Sequence, residues 1–252
     1  MAESFQPIAV RAPGESPWLF RARCAIDLQL LTIVRFLRGP LAACRGRVLD
    51  VGAGAAPWRE FLPAGVEYLG VDIGSAADFG MRTHPDIVYY DGNILPFENG
   101  SFDQVLCVEV LEHVPDPTAF LAEIRRVVKA GGTLILTIPW SARLHHLPHD
   151  YGRFTRIGLG RALDHAGFMD VKIAERGTDI AVLANKLTVL SLRLLRPKRL
   201  LQCFWTWPLA LMVTPVAAGF LVAAHSALWL ELGSKEDPLG YGVIATAPAG
   251  YR

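Results

Sequence analysis

Short apolar runs bounded by turn residues recur along the chain, and segments with helical spacing of apolar residues lie between several of them. Runs of this length, rich in Val, Ile and Leu, are typical of strands buried in a sheet. Their alternation with helical segments predicts an α/β protein with a doubly wound sheet. The predicted strands span residues 48–51, 66–72, 87–90, 102–108, 133–139, 169–175 and 241–247.

Helical periodicity and end signals predict the helices. The apolar spacing indicates a helix over residues 17–37, ended by the Gly-Pro pair at 39–40. A second helix is expected to start in residues 55–62, directly after a glycine-rich turn. A third is predicted within residues 115–132, which close on a glycine pair, and a fourth over residues 155–166, whose first threonine can cap it.

A long hydrophobic segment, residues 178–238, separates the last two predicted strands. It contains an uncharged run from Leu200 to Leu230, which is long enough to span a bilayer. A single crossing of the bilayer would place the last β-strand on the opposite side of the membrane from its sheet. We therefore expect a helical hairpin lying on an anionic membrane surface. The alternatives are a buried dimer interface and a lid over a hydrophobic acceptor. The basic residues just before the run are Arg193, Arg196, Lys198 and Arg199.

Composition and charge narrow the function classes. The 252-residue chain has a formal net charge of +1, so nothing global points to nucleic acid as a partner. Its 4 cysteines are scattered without paired spacing, which fits a reducing compartment better than a disulfide framework. The first residues lack a basic region followed by an apolar run, so no signal peptide is predicted. We therefore expect a cytoplasmic protein, peripheral on the inner face of the membrane if the hydrophobic segment binds lipid.

The stretch VLDVGAGAAPW, residues 48–58, carries the first candidate chemistry. A buried strand is predicted to end near Asp50. Gly52 and Gly54 then allow a tight turn that can approach a ligand closely. A second acid, Asp72, ends the next strand, where the hydroxyls of a ribose would lie. A dinucleotide-binding dehydrogenase would have a third glycine where Pro57 stands and usually lacks the first acid, so the turn favours a different nucleoside cofactor.

The segment YYDGNILPFENGSFDQVLCVEVLEHVPDP follows, and with the turn it resembles the class I S-adenosylmethionine-dependent methyltransferases over residues 45–175. The resemblance implies a Rossmann-like sheet, mostly parallel with an antiparallel last strand, and S-adenosylmethionine as the cofactor. It further implies that the turn holds the methionine part, that the next acid binds the ribose, and that the acid before LPF faces the adenine. The cofactor-binding residues implied are Asp50, Gly52, Gly54, Asp72, Ile73, Asp91, Gly92, Asn93, Ile94 and Glu109.

On this resemblance the chain is expected to be a single methyltransferase domain of residues 1–252. A helical extension would occupy residues 1–45, and the cofactor-binding core with the acceptor loop residues 46–177. The hydrophobic helical insertion would then span residues 178–238, and the last strand and tail residues 239–252.

The loop PWSARLHHLPHDYGRFT follows the fifth predicted strand, where acceptor-side residues are expected. A similar His-Asp-Tyr stretch recurs in methyltransferases of glycan and cell-envelope biosynthesis. We predict His149 as the general base that takes the acceptor's proton, with Asp150 orienting it or binding the acceptor. A solvated loop without a catalytic role is the alternative. The remaining predicted acceptor-binding residues are His145, His146, Tyr151 and Arg153.

The stretch EVLEHV offers a metal site as an alternative to a purely structural role. Its E-x-x-E-H pattern resembles quinone-biosynthesis O-methyltransferases, in which such residues hold a divalent metal. If the stretch is helical, Glu109, Glu112 and His113 share one face. The prediction is nevertheless that no metal is bound, because LEHV also occurs in family members that need none.

Together these features predict O-methylation of a glycan-related or lipid-linked acceptor at a membrane surface. Methylation of a quinone or other aromatic small molecule is the alternative within enzymes. A membrane-attached cofactor-binding protein without catalysis is the alternative from another class. The expected partners are a small-molecule or lipid-linked acceptor, a membrane surface through residues 178–238, and a second copy of the chain, with no nucleic acid.

Overall fold

The computed structural model of the chain describes residues 8–75 and 84–249. In these residues the strands join into one sheet that supports all the other elements. The strands are β1 (Arg47–Val51), β2 (Glu67–Ile73), β3 (Ile87–Tyr90), β4 (Phe102–Val108), β5 (Val128–Pro139), β6 (Met169–Arg176) and β7 (Gly240–Thr246), and the helices are α1 (Pro17–Ile26), α2 (Leu28–Ala42), α3 (Pro117–Val127), α4 (Arg156–His165), α5 (Asp179–Leu195) and α6 (Cys203–Leu230).

The strand order is β3-β2-β1-β4-β5-β7-β6, with β7 antiparallel to both of its neighbours and the other pairs parallel. This confirms the predicted mostly parallel sheet with an antiparallel last strand. The order reverses between β1 and β4, so the chain leaves these two paired strands in opposite directions and a crevice is left at their carboxyl ends. Ligands of open α/β sheets bind at such a point, and the glycine turn after β1 lies at this edge.

Helices cover both faces of the sheet because alternate strand residues point to opposite sides. On one face, α2 packs against Val48, Leu106 and Ile135. On the other face, α3 and α4 pack against alternate residues of the same strands, including Leu49 and Val105. The helix predicted at 155–166 is confirmed as α4, and Thr155 caps it by accepting a hydrogen bond from the Gly158 amide at 3.1 Å.

The helix predicted over residues 17–37 is wrong in its bounds, since two helices, α1 and α2, replace it. They are separated at Asp27, whose side chain accepts a hydrogen bond from the Leu30 amide at 3.1 Å and so starts a new helix. Gly39 and Pro40 do not end α2, because a proline in the last turn removes only one helical hydrogen bond.

The predicted helix after the glycine turn is also wrong. A single 3-10 turn, Arg59–Phe61, replaces it. Ala56 has a left-handed backbone (φ 54), and a residue before a proline is disfavoured in the α-helical region, so the predicted helix cannot start at Ala55 and run through this position. Trp58 packs with the side chains of α2, which covers the sheet beside β1. Helix α2 therefore covers the part of the sheet where the predicted helix was expected to pack.

Helices α5 and α6 form an antiparallel hairpin between β6 and β7. Ala181 and Val182 near the start of α5 pack with Ala224 near the end of α6. Within the described residues, 200–230 is the segment long and apolar enough to cross a membrane by length and composition, and only 17% of its most apolar window is buried. The helix therefore exposes most of its apolar surface. The buried residues of α6 are Ala210, Ala217, Ala224 and Ala227.

Candidate cofactor and acceptor site

A cavity of about 1330 Å³ opens at the carboxyl edge of the sheet, beside the crevice between β1 and β4. Single-ligand pockets usually measure about 300–1,000 Å³, so this cavity has room for a cofactor and a second molecule. Its lining comes from the turns after β1, β2, β3 and β4, the loop after β5, one side of α5, and parts of the N-terminal segment, α1 and α2.

The glycine turn forms one wall of the cavity. Gly52 and Gly54 both have left-handed backbones, with φ of 73 and 54. A Cβ atom on Gly52 would lie 2.4 Å from Cγ2 of Val110, so a side chain there would collide with the chain after β4. The sequence needs glycine at this position for both conformation and space.

Asp72 closes the same wall from the end of β2. Its Oδ2 accepts a hydrogen bond from the Gly54 amide at 2.8 Å, and its Oδ1 accepts one from the Ile73 amide at 2.8 Å. Burial raises the pKa of Asp72, while these two hydrogen bonds oppose the rise. Each carboxylate oxygen keeps a further lone pair, so Asp72 can also accept from the hydroxyl groups of a ribose.

The turn after β3 lines the cavity with Asp91, Gly92 and Asn93. The Asp91 carboxylate accepts hydrogen bonds from the amide and the side chain of Asn93, which lower its pKa. This keeps a carboxylate exposed at the position predicted to face an adenine amine. Ile94, predicted beside the ring, is 68% exposed and is not among the residues lining the cavity.

Asp50 lies behind the turn rather than on the cavity wall, since its side chain is buried within β1. Its Oδ2 accepts a hydrogen bond from the Tyr68 hydroxyl at 2.7 Å. Burial raises the pKa of Asp50 to about 7. Strand β1 continues through Val51, so Asp50 lies inside the strand and not in the turn that follows it.

Glu109 lines the cavity but does not share a face with Glu112 and His113. The residue has a left-handed backbone (φ 54), and the next residues form one 3-10 turn rather than an α-helix. Its carboxylate accepts a hydrogen bond from buried Arg176 at 2.7 Å. The predicted helical alignment of these three residues is therefore wrong, because the left-handed residue Glu109 lies outside the turn that holds Glu112 and His113.

The short turn after Glu109 and the loop after β5 come together at a second cluster of side chains. Oε1 of Glu112 lies 3.6 Å from Nε2 of His113 and 3.8 Å from Nε2 of His145. We call these three residues the Glu-His-His cluster. The turn and the loop are joined by a hydrogen bond from the Tyr151 amide to the Glu112 carbonyl at 2.8 Å.

Burial sets the charges of the Glu-His-His cluster. It raises the pKa of Glu112 well above its ordinary range, and it lowers the pKa of His113 to about 4. The pKa of His145 is also lowered by burial. Both imidazoles are therefore neutral at neutral pH, and each can offer a ring nitrogen to a ligand.

Asp150 lies next to His145 rather than next to His149. Its carboxylate accepts a hydrogen bond from Arg153 at 2.9 Å and another from the His145 amide at 3.0 Å. Its Oδ2 is also 3.4 Å from Nδ1 of His145. Arg153 and the His145 amide hold the pKa of Asp150 below its usual value against the effect of burial. The structure thus pairs Asp150 with a different histidine from the one we predicted.

His149 lines the cavity, as do His145, His146 and Tyr151. Nδ1 of His149 lies 3.1 Å from the Tyr151 hydroxyl. The predicted base and three of the predicted acceptor-binding residues thus share one cavity with the glycine turn. Arg153 is not on that wall, since it pairs with Asp150.

Two features of the site were missed in the sequence. Arg176, at the end of β6, is buried and donates hydrogen bonds to the Tyr241 and Ile138 carbonyls as well as to Glu109. No spacing or motif marks it, because its partners come from distant strands. The other missed feature is the side of α5 that lines the cavity, including Asn185, Lys186 and Arg193.

The chain is similar to known proteins in both sequence and fold. Residues 49–136 match the family model described as "Methyltransferase domain". Over 100 residues the chain is 37% identical to "Ubiquinone biosynthesis O-methyltransferase" of Xanthomonas oryzae pv. oryzae (strain PXO99A), covering 36% of this chain and 42% of that protein. Over 126 residues it is 40% identical to an "Uncharacterized methyltransferase" of Mycobacterium sp. (strain KMS), covering 46% and 48%.

The solved structure of the cyclase SpnF superposes with a TM-score of 0.52 and 18% identity, covering 88% of this chain and 83% of that one. At this identity the likeness shows the fold alone. The chain spans less than half the length of the two curated relatives described above. The family match, residues 49–136, runs from β1 into β5 and so includes the turns after β1, β2 and β3.

Proposed function

The chain carries a methyltransferase domain of the class I S-adenosylmethionine-dependent family, and from this premise we propose that it methylates an oxygen of a lipid-linked, glycan-related acceptor at a membrane surface. One observation carries the acceptor class. The cavity that holds the predicted cofactor residues is also lined by α5, which belongs to the exposed apolar hairpin. A lipid-bearing substrate bound along the hairpin could thus present its polar group to the cofactor.

The cofactor side of the proposal uses Gly52, Gly54, Asp72 and Asp91. A nucleoside needs acceptors for its ribose hydroxyls and its adenine amine, and Asp72 and Asp91 supply carboxylates in that order along the sheet edge. The sulfonium group carries no phosphate, so no basic residue is required near the turn. Ile73 and Gly92 fit the apolar part of the same surface.

On the acceptor side, methyl transfer is a direct displacement at carbon. The acceptor oxygen forms a bond to the methyl carbon as the carbon–sulfur bond breaks, and S-adenosylhomocysteine leaves. An alcohol must also lose its proton, which we assign to His149. Alignment of the two reactants within one cavity supplies much of the remaining catalysis.

A second candidate is O-methylation of a quinone or another aromatic small molecule. It is favoured by the relative named for ubiquinone biosynthesis. Both candidates need the same methyl donor, and they differ in the group that carries the accepting oxygen. A protein that binds the cofactor without catalysis is the third candidate.

The proposed location is the cytoplasmic side of a membrane, with the hairpin on the lipid surface. The exposed apolar surface of the hairpin and the four basic residues just before its uncharged run support it. A second copy of the chain packing on the same hairpin is the competing explanation of that surface.

The test is a methyl-transfer screen with the purified full chain in detergent and methyl-labelled S-adenosylmethionine. Lipid-linked sugars, quinone precursors and simple phenols serve as acceptors, and labelled products are separated by chromatography. We expect label in the lipid-linked sugars. Label confined to the quinone precursors would select the second candidate, and cofactor binding with no labelled product would select the third.

Asp72→Ala is the matched negative variant for this screen. The lost hydrogen bonds to the charged carboxylate should weaken S-adenosylhomocysteine binding by about 1–3 kcal/mol, measured by calorimetry. Asp86→Ala serves as control, because Asp86 is an exposed acid near the start of β3 that pairs with Arg59 instead. Equal affinities of the two variants would contradict the assigned role of Asp72.

A further inference from the structure

A second, smaller pocket lies where α1, α2 and α6 meet. Its volume is about 310 Å³, and it shares no lining residue with the cofactor cavity. We propose that this pocket binds the phosphate headgroup of one anionic phospholipid, whose acyl chains lie along α6. The inference rests on the proposed membrane location and not on the chemistry of methyl transfer. The lining residues are Phe20, Arg21, Cys24, Ala25, Leu31, Val34, Arg35, Arg38 and His225.

The charge of the pocket gives the first argument. Three arginines line it, Arg21 from α1 and Arg35 and Arg38 from α2, and none of the described residues that line it is acidic. Arg21 and Arg38 have no hydrogen bond or ion pair with another described residue. Arg35 donates a hydrogen bond to the Leu228 carbonyl at 3.3 Å, which leaves its charge without a counter-ion in this part of the chain. The pocket therefore favours an anion.

The chemistry of the guanidinium group indicates which anion fits. Each guanidinium is planar and permanently charged, and its paired N–H donors match two oxygens of a phosphate. Arg35 and Arg38 lie three residues apart on α2 and so share one side of that helix, while Arg21 comes from another helix. A terminal phosphate presents three acceptor oxygens, whereas a carboxylate presents two. Three guanidinium groups from two helices therefore suit a phosphate better than a carboxylate.

The surface of α6 beside the pocket gives the second argument. Val222 and Trp229 lie three and four residues from His225, so they share its side of the helix. Their side chains are 69% and 78% exposed. An apolar strip thus continues from the pocket along α6. A soluble phosphate compound would leave this strip uncovered, whereas a phospholipid has both a phosphate for the arginines and acyl chains for the strip.

The three walls of the pocket are tied to one another. Nε2 of His225 donates a hydrogen bond to the Ala25 carbonyl at 2.8 Å, which joins α6 to α1. The hydrogen bond from Arg35 to Leu228 joins α2 to α6 in the same way. The phosphate would therefore lie between helices rather than on the open surface. Salt should weaken this contact less than it weakens the attraction of the basic residues before the uncharged run.

The test uses the full chain in an uncharged detergent at one fixed concentration, and calorimetry measures affinity and stoichiometry. The ligands are dioctanoyl phosphatidate, dioctanoyl phosphatidylcholine and glycerol 3-phosphate. We expect one phosphatidate per chain. The other two ligands should bind at least about 10-fold more weakly, because phosphatidylcholine has no net charge and glycerol 3-phosphate has no acyl chains.

The decisive variant combines Arg21→Gln with Arg38→Gln and keeps Arg35, which holds α6. It should bind phosphatidate at least about 10-fold more weakly than the parent, since two charge-assisted contacts are lost. The matched control combines Arg161→Gln with Lys172→Gln, which removes the same charge from two exposed positions outside both pockets. Unchanged S-adenosylhomocysteine affinity in both variants shows that they are folded, because none of these residues lines the cofactor cavity.

Equal phosphatidate affinity in the two double variants, or equal affinity of the parent for phosphatidylcholine and phosphatidate, would overturn the proposal. Glycerol 3-phosphate that binds as tightly as phosphatidate would overturn the assignment to a lipid. Flotation with vesicles but no phosphatidate binding in detergent would refute the pocket and leave the membrane location standing. Phosphatidate binding that only the Arg21 and Arg38 variant loses supports the pocket even if lipid-linked sugars receive no methyl label.

Discussion

Oδ1 of Asp50 has no hydrogen-bond partner among the described residues, and burial raises the pKa of this group from 3.8 to about 7. The unfolded chain releases this proton near pH 4, whereas the folded chain keeps it until about pH 7. Between those values the folded state binds more protons, so its stability falls as the pH rises. The loss should be complete above about pH 7.

Asp50→Asn should remove that dependence, because its amide stays neutral and can still accept from Tyr68. We expect the variant to gain stability over the parent between pH 4 and 7, by up to about 4 kcal/mol at 1.36 kcal/mol per pKa unit. Thermal midpoints of both proteins in the same detergent, measured across this range, provide the check. A midpoint difference that stays constant with pH would mean that folding does not raise the pKa of Asp50.

His149 is the residue on which the acceptor chemistry depends. If it removes the acceptor's proton, His149→Ala should lower turnover by roughly 100-fold or more, with unchanged S-adenosylhomocysteine affinity. The backbone carbonyl that His113 contacts remains in this variant, so the Glu-His-His cluster keeps its support. His165→Ala is the control in the same assay. Full turnover by His149→Ala would leave His149 as a structural loop residue.

The residues that sequence could locate are those with local signals. Gly52, Gly54 and Asp72 follow a buried strand at fixed spacing, and the structure brings them to one wall of the cavity. The orientations of Asp50 and Glu109 could not be predicted in the same way. The exact end of β1 decides where the Asp50 carboxylate points, and a single left-handed residue decides it for Glu109. The partners of Glu109 and Asp150 lie on other elements, and no local pattern encodes such pairs.

At the level of elements, the apolar periodicity located six strands to within one residue, whereas β5 begins at Val128, five residues before its predicted start. It failed where a tertiary contact decided the outcome. Residues 55–62 are not an α-helix because α2 covers the neighbouring surface of the sheet. The expected helical hairpin between the last two strands is present as α5 and α6. Its pairing follows from topology, since both of its ends must return to the same sheet.

The hairpin itself should bind anionic vesicles. Phe204, Trp205 and Trp207 are 78%, 63% and 56% exposed, and burial of such side chains in lipid gives a salt-insensitive attraction. Each basic residue near an anionic surface adds about 1 kcal/mol, which salt weakens. Vesicle flotation should therefore show binding that salt reverses only in part. Replacing Arg193, Arg196, Lys198 and Arg199 with glutamine should remove the salt-sensitive share.

Replacement of the three aromatic residues by serine should remove most of the salt-insensitive share. Ile157→Ser is the control, since Ile157 is an exposed apolar residue on α4, outside the hairpin. If the parent protein stays soluble without detergent and does not float with vesicles, the hairpin is an interface or a lid instead.

For the whole molecule, the strand order ties the hairpin to the cavity. The chain leaves the sheet at β6, passes through α5 and α6, and returns to insert β7 between β5 and β6. Both ends of the hairpin are thus fixed at one place, and α5 forms part of the cavity wall. A membrane-bound hairpin would hold the cavity close to the lipid surface.

This arrangement predicts that loss of membrane attachment lowers turnover only when the acceptor is embedded in a membrane. The serine variant of Phe204, Trp205 and Trp207 should bind S-adenosylhomocysteine as tightly as the parent, because none of these three residues lines the cavity. Its turnover of a short-chain acceptor dissolved in detergent should be unchanged. With the same acceptor embedded in vesicles, turnover should fall at least about tenfold, since attachment no longer raises the local enzyme concentration at the lipid surface. Equal turnover of the embedded acceptor by both proteins would mean that the hairpin does not contribute to substrate delivery.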